Sequence, residues 1–211
     1  GIIDEEGRFN WENLSIKMHL VNTNFISLYS GHEGFIWAGT YDQGVYRFST
    51  SDLSWERYTS SEGLGDNNVI SISGSKNLIW FSTLGGGVSC FDTDISRFRI
   101  INNPALSDLY VYETASDDRG KTWIAGSMRS PSYIDNDQLN NIAYSGIRIP
   151  QFYSVALDTS GNPWFNTGSK GILMVDGDSA KLIGRSDGIV FDKIQAIEFD
   201  EMNNLLVISN S

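Results

Sequence analysis

Short apolar segments alternate with turns along the whole chain, and one arrangement of segments recurs about every 42 residues. Each copy contains an apolar segment, a turn that ends in glycine, a second segment centred on tryptophan or leucine, and a third segment after another glycine. The central positions, separated by 43, 43, 41 and 42 residues, are Trp37, Trp80, Trp123, Trp164 and Leu206. Because the segments alternate with period two or are wholly apolar, they predict strands and exclude helical repeats.

A fourth segment, aromatic or apolar, separates the third segment of one copy from the first segment of the next. These fourth segments span residues 55–58, 98–101, 142–144 and 181–183. Four short strands in a repeat of this length are typical of a β-propeller blade. The sequence therefore predicts an all-β fold, a β-propeller of about five four-stranded blades that forms a single domain, residues 1–211. The predicted blade cores lie near residues 25–58, 68–101, 110–144, 151–183 and 194–211.

The first and last residues of the sequence together supply the four segments of one blade. The last copy stops after its second segment, whereas residues 1–4 and 9–11 have the character of a third and a fourth segment. Residues 1–11 are therefore predicted to complete the last blade, with residues 1–3 beside residues 208–209, because strands from both termini then pair edges that otherwise stay open. The alternative is that the repeats form an arc of a larger ring.

The composition narrows the range of partners. With 15 basic and 26 acidic residues, the chain has a formal net charge of −11, which repels nucleic acid and anionic membrane surfaces. Its apolar stretches are too short to cross a bilayer, so we expect no membrane contact by this segment. The single cysteine, Cys90, excludes an internal disulfide and is expected to be a small buried apolar residue.

The sequence offers little for catalysis. One histidine, His19, lies in the run before the first strand, and the other, His32, lies in a turn on the face opposite the usual site of a propeller. General acid–base chemistry and metal chemistry both require converging side chains. We therefore expect no catalytic residues, no metal site and no cofactor.

Residues 116–123, Ser-Asp-Asp-Arg-Gly-Lys-Thr-Trp, resemble the Asp-box of sialidase-like propellers, in which the box is a turn. We expect Asp118 to accept hydrogen bonds from backbone N–H groups of the hairpin and Gly120 to supply a positive φ. Trp123 is expected to pack between blades. Since no arginine cluster or nucleophilic tyrosine accompanies the box, it predicts structure rather than glycoside hydrolysis.

The aligned copies place polar side chains where each first strand begins. Twelve or thirteen residues before the central positions stand Asn24, Asn68, Tyr110, Gln151 and Lys193. The loops between second and third strands reach the same face and add Tyr41, Asp42, Arg129 and Lys170. An asparagine side chain also caps turns, which is the structural interpretation of Asn24 and Asn68.

Aromatic faces, amides and a few charges around a shallow mouth suit a sugar, which stacks its apolar ring face and exchanges hydrogen bonds through its hydroxyls. The residues predicted to bind such a ligand are Tyr41, Asp42, Tyr110, Arg129, Gln151 and Lys193. The irregular segment 127–131 supports this hypothesis, because loops that depart from their equivalents often carry specificity. The alternative is a solvated rim without a ligand.

Two stretches of the chain carry a family resemblance. Residues 34–40, followed by 44–48, and residues 64–72 resemble the two-component regulator propeller repeat. The resemblance implies the extracytoplasmic sensor region of a membrane-bound histidine kinase or hybrid regulator, on the periplasmic or extracellular side of a bacterial membrane. It also implies seven-bladed rings, further domains of the same chain as partners, and an oligosaccharide as the signal.

Three functions are compatible with these features. The first is a non-enzymatic sensor of an oligosaccharide. The second is a platform for protein interaction or homodimerisation that binds no small ligand. The third is a propeller lyase or glycosidase, because residues 164–167 are similar to repeats of the streptogramin lyase propellers.

Overall fold

The chain folds into short strands. A computed structural model describes residues 2–3, 6, 9–10, 20, 22–31, 34–99, 101, 110–144, 146, 148–190 and 193–210. The strands are, in order, β1 Ile2–Ile3, β2 Phe9–Asn10, β3 Phe25–Ser30, β4 Phe35–Thr40, β5 Val45–Ser49, β6 Trp55–Tyr58, β7 Val69–Ser75, β8 Leu78–Thr83, β9 Val88–Asp92, β10 Arg97–Arg99, β11 Val111–Ser116, β12 Thr122–Gly126, β13 Ser132–Asp135, β14 Gln138–Asn141, β15 Ser154–Leu157, β16 Pro163–Asn166, β17 Ile172–Asp176, β18 Ser179–Ile183, β19 Lys193–Phe199 and β20 Leu205–Asn210. Single 3₁₀ turns span Gly168–Lys170 and Arg185–Asp187. Among these described residues, no helix has the length and apolarity to cross a membrane.

Consecutive strands pair side by side in antiparallel sheets. Within the described residues, four sheets contain four strands each, namely β3–β6, β7–β10, β11–β14 and β15–β18. We call these sheets the first to fourth blades. The hairpins β1–β2 and β19–β20 form two-stranded sheets. This architecture confirms the predicted all-β fold of four-stranded propeller blades.

The first strand of a blade carries a β-bulge at the same position in several copies. The register shifts between Phe25 and Ser27 in β3 and between Val111 and Glu113 in β11, and equivalent shifts interrupt β7 and β19. A bulge adds one unpaired residue and increases the local twist of the strand. Tyr112 is the additional residue in β11, so its position is set by the bulge rather than by ladder pairing.

Apolar side chains fill the space between neighbouring blades. Trp37 of the first blade makes edge contacts to Phe81 and Phe91 of the second blade, with ring centroids 5.3 and 5.1 Å away. Trp80 and Trp123 lie together in a second buried cluster that joins the second, third and fourth blades. Since large rings bury much apolar surface, these contacts account for the repeated tryptophan. The predicted packing of Trp123 between blades is confirmed.

Cys90 lies in β9 and is completely buried. Burial raises the pKa of its thiol to about 12, because the thiolate would lose its hydration. The side chain therefore stays protonated and acts as a small apolar residue, as the sequence predicts.

The fourth strand of the third blade differs from the prediction. It spans Gln138–Asn141 rather than residues 142–144. The turn before it is short because Asn136 and Asp137 both adopt a positive φ, which allows a two-residue hairpin turn. β14 therefore starts directly after β13, and its polar residues gave no apolar pattern by which the sequence could identify it.

The Asp-box turn forms, but the other aspartate is the acceptor. Asp117 Oδ1 accepts the backbone N–H groups of Arg119 and Lys121, both at 2.9 Å. Gly120 has the expected positive φ of 96°. Asp118, the predicted acceptor, is exposed. Asp117 precedes the turn, so its carboxylate reaches the N–H groups two and four residues later, as aspartate does in turns of this kind.

The two halves of the predicted composite blade lie in separate sheets. Ile2–Ile3 pairs with Phe9–Asn10, and β19 pairs with β20, and the described residues contain no strand pairing between these hairpins. Residues 1, 4, 5, 7, 8, 11 and 211 of this predicted blade lie outside the described part. The closure of a ring by residues 1–3 beside residues 208–209 stays a prediction.

Candidate functional site

The predicted site residues lie where the first strand of a sheet begins and the second strand ends. Tyr41 donates its N–H to the carbonyl oxygen of Asn24 at 3.1 Å, and Ser127 donates its N–H to the carbonyl oxygen of Tyr110 at 2.9 Å. Lys193 is the first residue of β19 and pairs with Asn210, the last residue of β20. These bonds place the residues at equivalent ends of three different sheets.

Hydrogen bonds between neighbouring blades bring these ends to one face. Ser27 Oγ in β3 donates to the carbonyl oxygen of Val69 in β7 at 2.9 Å. In the loop after β4, Gly44 donates its N–H to the carbonyl oxygen of Asn67, just before β7, at 2.9 Å. We call this face the mouth; it comprises residues 24, 68, 110, 151 and 193 and the loops 41–44, 84–87, 127–131 and 168–171.

The irregular loop 127–131 is tied to Tyr110. Besides accepting the Ser127 N–H, Tyr110 donates its own N–H to Ser127 Oγ at 3.2 Å. Met128 is buried and anchors the loop in the core. Tyr110 and Arg129 remain exposed, so the third blade presents an aromatic ring and a cation at the mouth.

The first blade presents Tyr41 and Asp42 on a loop that is held by internal hydrogen bonds. Thr40 Oγ1 donates to the carbonyl oxygen of Gly44 at 2.7 Å and accepts the N–H of Gln43 at 2.9 Å. Gly44 has a φ of 82°, and a Cβ at this position would collide with a backbone carbonyl of the fourth strand. Both Tyr41 and Asp42 are exposed at the tip of this loop.

Gln151 and Lys193 belong to the fourth blade and the terminal hairpin. Gln151 is half-buried three residues before β15, and Lys193 is exposed. The 3₁₀ turn Gly168–Lys170 follows β16, and its first N–H donates to Asn166 Oδ1 at 2.8 Å. Asn166 Nδ2 in turn donates to the carbonyl oxygen of Ile194 at 3.3 Å. This buried asparagine links the loop of the fourth blade to the strand that Lys193 opens.

The predicted capping role of the mouth asparagines is wrong for Asn68. Its backbone N–H donates to Asp66 Oδ1 at 2.8 Å, so Asp66 caps this turn. The side-chain oxygen of Asn68 is buried and accepts no hydrogen bond from the residues that the structure describes. Buried polar atoms normally have a partner, and this one is an unused acceptor beside the mouth.

A stacked tyrosine pair at the mouth was not predicted. Tyr112 lies in the first strand of the third blade, and Tyr153 lies immediately before the first strand of the fourth blade. Their ring centroids are 6.2 Å apart and the rings are nearly parallel, at 11°. Tyr153 is exposed, and a Cβ on Gly168 would press against its ring. Both tyrosines stand two residues after a predicted site residue, and this shared aligned position is the signal in the sequence that identifies them.

Glu113 is the acidic residue of the first strand in the third blade. It stands where the first and fourth blades have Ser27 and Ser154. Its Oε2 accepts the backbone N–H of Val155 at 3.0 Å. Burial raises the pKa of the Glu113 carboxyl to about 7, and the negative charge of Glu198 adds to this shift. The carboxyl therefore titrates near neutral pH while it joins two blades.

Metal ligands do not cluster in the described part of the chain, where no group of three or more His, Cys, Asp or Glu side chains is placed to hold an ion. His19 and His32 lie outside that part. The expectation that the chain has no catalytic or metal site stays a prediction.

Comparison with known proteins identifies similar folds. No family model matches the chain, and no curated protein matches it. The extracellular domain of the hybrid two-component system BT4673 from B. thetaiotaomicron has a TM-score of 0.72 and 19% identity, over 88% of this chain and 26% of that one. The corresponding domain of BT3049 from the same organism has a TM-score of 0.69 and 16% identity, over 88% and 25% of the two chains.

A propeller enzyme is similar as well. A catalytically inactive virginiamycin B lyase from Staphylococcus aureus, solved with quinupristin, has a TM-score of 0.70 and 12% identity, over 89% of this chain and 64% of the lyase. The present chain thus spans about a quarter of the length of the two-component ectodomains that it matches. At these identities the likeness establishes the fold, and that fold is a β-propeller.

Proposed function

We propose that the chain is the ligand-sensing propeller segment of an extracytoplasmic two-component sensor, and that an oligosaccharide binds at its mouth. The observation that carries this proposal is the set of exposed aromatic rings on that face. Tyr41 and Tyr110 are each more than half exposed there, and Tyr153 is 38% exposed, although large aromatic rings usually bury most of their surface.

The side chains around these rings suit a polyhydroxylated ligand. Arg129 and Lys193 supply hydrogen-bond donors, Asp42 supplies an acceptor, and Gln151 supplies both. A sugar stacks its apolar face on an aromatic ring and exchanges hydrogen bonds through its hydroxyls. The mouth therefore combines the two kinds of contact that sugar recognition needs.

The cellular setting in this proposal is the periplasmic or extracellular side of a bacterial membrane. It is supported by the likeness to extracellular domains of two-component systems. In this setting the partners are further domains of the same sensor, which transmit the binding event. We infer a role without catalysis, with ligand binding as the signal.

Calorimetry with the purified chain and a panel of oligosaccharides tests this function. We expect at least one glycan to bind, and we expect the double variant Tyr110→Ala, Arg129→Ala to lose most of that affinity. The matched control is Trp55→Ala, Arg57→Ala, which removes an exposed aromatic residue and an exposed arginine from β6. This control should bind like the unsubstituted chain.

Two results would contradict the proposal. Unchanged binding in the Tyr110, Arg129 variant would move the site away from the mouth. Absence of binding to every glycan would favour the second function, an interaction platform. The exposed apolar residues Leu28, Leu206 and Ile208 at the two ends of the blade array favour that second function.

A further inference from the structure

A cleft of about 310 Å³ lies between the third and fourth blades, on the face opposite the mouth. One wall is the Asp-box turn of the third blade, and the other is formed by the turn 159–162 and by Asp178 after β17. Trp123 and Tyr133 line its interior. The volume is at the lower end of the range of about 300–1,000 Å³ that is typical of small-molecule sites.

The indole N–H of Trp123 is a buried donor without an acceptor. Within the described residues it makes no hydrogen bond. The equivalent tryptophan of the fourth blade shows the usual arrangement, since Trp164 Nε1 donates to Asp158 Oδ2 at 3.3 Å. Asp117 stands at the same spacing before Trp123, yet no such bond forms there. Because buried N–H groups rarely lack a partner, Trp123 brings an unused donor to the wall of the cleft.

Charges of both signs line the cleft without neutralising one another. Arg119 and Lys121 are cationic, and Asp118 and Asp178 are acidic. The ion pairs formed by described residues are Arg47–Glu56 and Arg99–Asp137, and neither includes a residue of the cleft. Asp117 is already occupied by the backbone of its own turn. The cleft therefore offers separate positive and negative groups to a ligand.

The aromatic residues of the cleft do not offer a stacking surface. Trp123 is buried. The ammonium group of Lys121 lies over the Tyr133 ring, 4.6 Å from its centroid, so that face is already engaged in a cation–π contact. A sugar would find no free ring here, in contrast to the mouth with its exposed tyrosines.

We propose that this cleft binds a small zwitterion of the free α-amino-acid class. The ligand carboxylate faces the Lys121 and Arg119 side chains and the Trp123 indole N–H, and the ligand ammonium group faces Asp118 and Asp178. Charge-assisted hydrogen bonds of this kind are the strong ones. The site is distinct from the mouth, so the chain carries one surface for a neutral polyol and a second for a doubly charged solute.

Calorimetry with individual free amino acids, on the full chain, tests the site. Each amino acid is compared with its N-acetyl derivative, which lacks the ammonium charge, and with the corresponding amine, which lacks the carboxylate. We expect binding of at least one free amino acid and weakening by roughly tenfold or more for both derivatives. In a ¹⁵N-tryptophan spectrum one indole N–H resonance should shift on binding.

Variants assign the binding to the cleft. Lys121→Gln and Asp178→Asn should each weaken binding by about tenfold. The control Lys170→Gln, which neutralises an exposed lysine at the mouth, should bind normally. Since Asp178 is exposed, its substitution leaves the fold intact and keeps the test valid if the Lys121 variant unfolds.

Three outcomes would overturn the proposal. These are the failure of every free amino acid to bind, equal binding of the N-acetyl derivatives, and unchanged affinity in Asp178→Asn. The glycan titration of the mouth is independent, so its failure would leave this site standing, and the reverse also holds.

Discussion

The carboxylate of Glu113 accepts the backbone N–H of Val155 at 3.0 Å and so ties the first strand of the third blade to that of the fourth. Between the first and second blades the aligned residue is Ser27, whose neutral hydroxyl donates to the carbonyl oxygen of Val69. Of these two junctions, only the one between the third and fourth blades uses an ionisable side chain.

This relationship predicts a pH-dependent stability. Burial raises the pKa of Glu113 from its ordinary 4.5 to about 7. Between pH 4.5 and pH 7, therefore, Glu113 is protonated in the folded chain and ionised in the unfolded chain. The stabilisation from this protonated carboxyl is fully present below pH 4.5 and is lost as pH rises through 7, a loss of about 3 kcal/mol. Glu113→Gln keeps an acceptor and removes the charge, so it should be more stable than the unsubstituted chain at pH 8 and similar at pH 4.5.

Urea denaturation at the two pH values measures this difference. The control is Glu201→Gln, an exposed glutamate in the turn before β20, which should change stability by less than about 0.5 kcal/mol at either pH. If Glu113→Gln and Glu201→Gln behave alike at pH 8, Glu113 does not carry the titration.

The repeated tryptophans should be essential for stability. Trp80 is 2% exposed and lies in the core that joins the second, third and fourth blades. Trp80→Ala should lower the free energy of unfolding by about 3–5 kcal/mol, because it leaves a large cavity. Trp55→Ala is the matched control, since Trp55 is 41% exposed. Thermal melts measure both, and a Trp80 variant that melts like the unsubstituted chain would refute the structural role.

The close approach of a neighbouring backbone should make any larger residue at Gly39 destabilising. A Cβ at Gly39 would collide with Ser27 Oγ and with the carbonyl oxygen of Val69 in the next blade. Gly39→Ala should therefore cost about 1–3 kcal/mol through overpacking at this junction. At Gly184 the nearest atom to an added Cβ is the carbonyl oxygen of Lys170, 3.5 Å away, so Gly184→Ala is a benign control. Equal midpoints of the two variants in urea would contradict this account.

The sequence predicted the blades because their signals are apolar and repeated. Trp37 and Trp80 stand at the same phase, and the period-two pattern around them defines strands on both sides. Counting back from the central position of each repeat predicted correctly that Tyr110 and Lys193 lie at the starts of first strands, because the repeat length is nearly constant.

The features that the sequence did not predict depend on polar residues or on the local conformation of the backbone. The strand Gln138–Asn141 contains a single apolar residue, Leu139, which is too little for a pattern, and the positive φ values before the strand define its start. Asp117 and Asp118 are chemically identical neighbours, and the turn geometry alone selects Asp117 as the acceptor. The stacking of Tyr112 on its neighbour follows from a bulge, which shifts one residue out of the alternation.

The two ends of the blade array expose positions that are buried everywhere between them. Leu28 in β3 is 71% exposed, whereas Ile72, at the same position of the next copy, is 8% exposed. At the other end, Ile208 in β20 is 61% exposed, while its equivalents Ser82 and Asn166 are completely buried. In the interior, the second strand of each blade contacts the first strand of the next blade. Each end face is therefore one half of a blade-to-blade junction.

We expect the isolated chain to associate head to tail through these faces, because each is the complement of the other and both expose apolar side chains. Sedimentation velocity at increasing protein concentration should show growing species. Leu28→Lys and Ile208→Lys should each suppress this growth without lowering the melting temperature, since one charged face is enough to block the contact. Val190→Lys, at an exposed apolar residue that precedes β19, should leave association unchanged. If instead residues 1–11 complete the last blade, the unsubstituted chain will remain a monomer, and Ile208→Lys will lower its melting temperature because a charge then enters a packed junction.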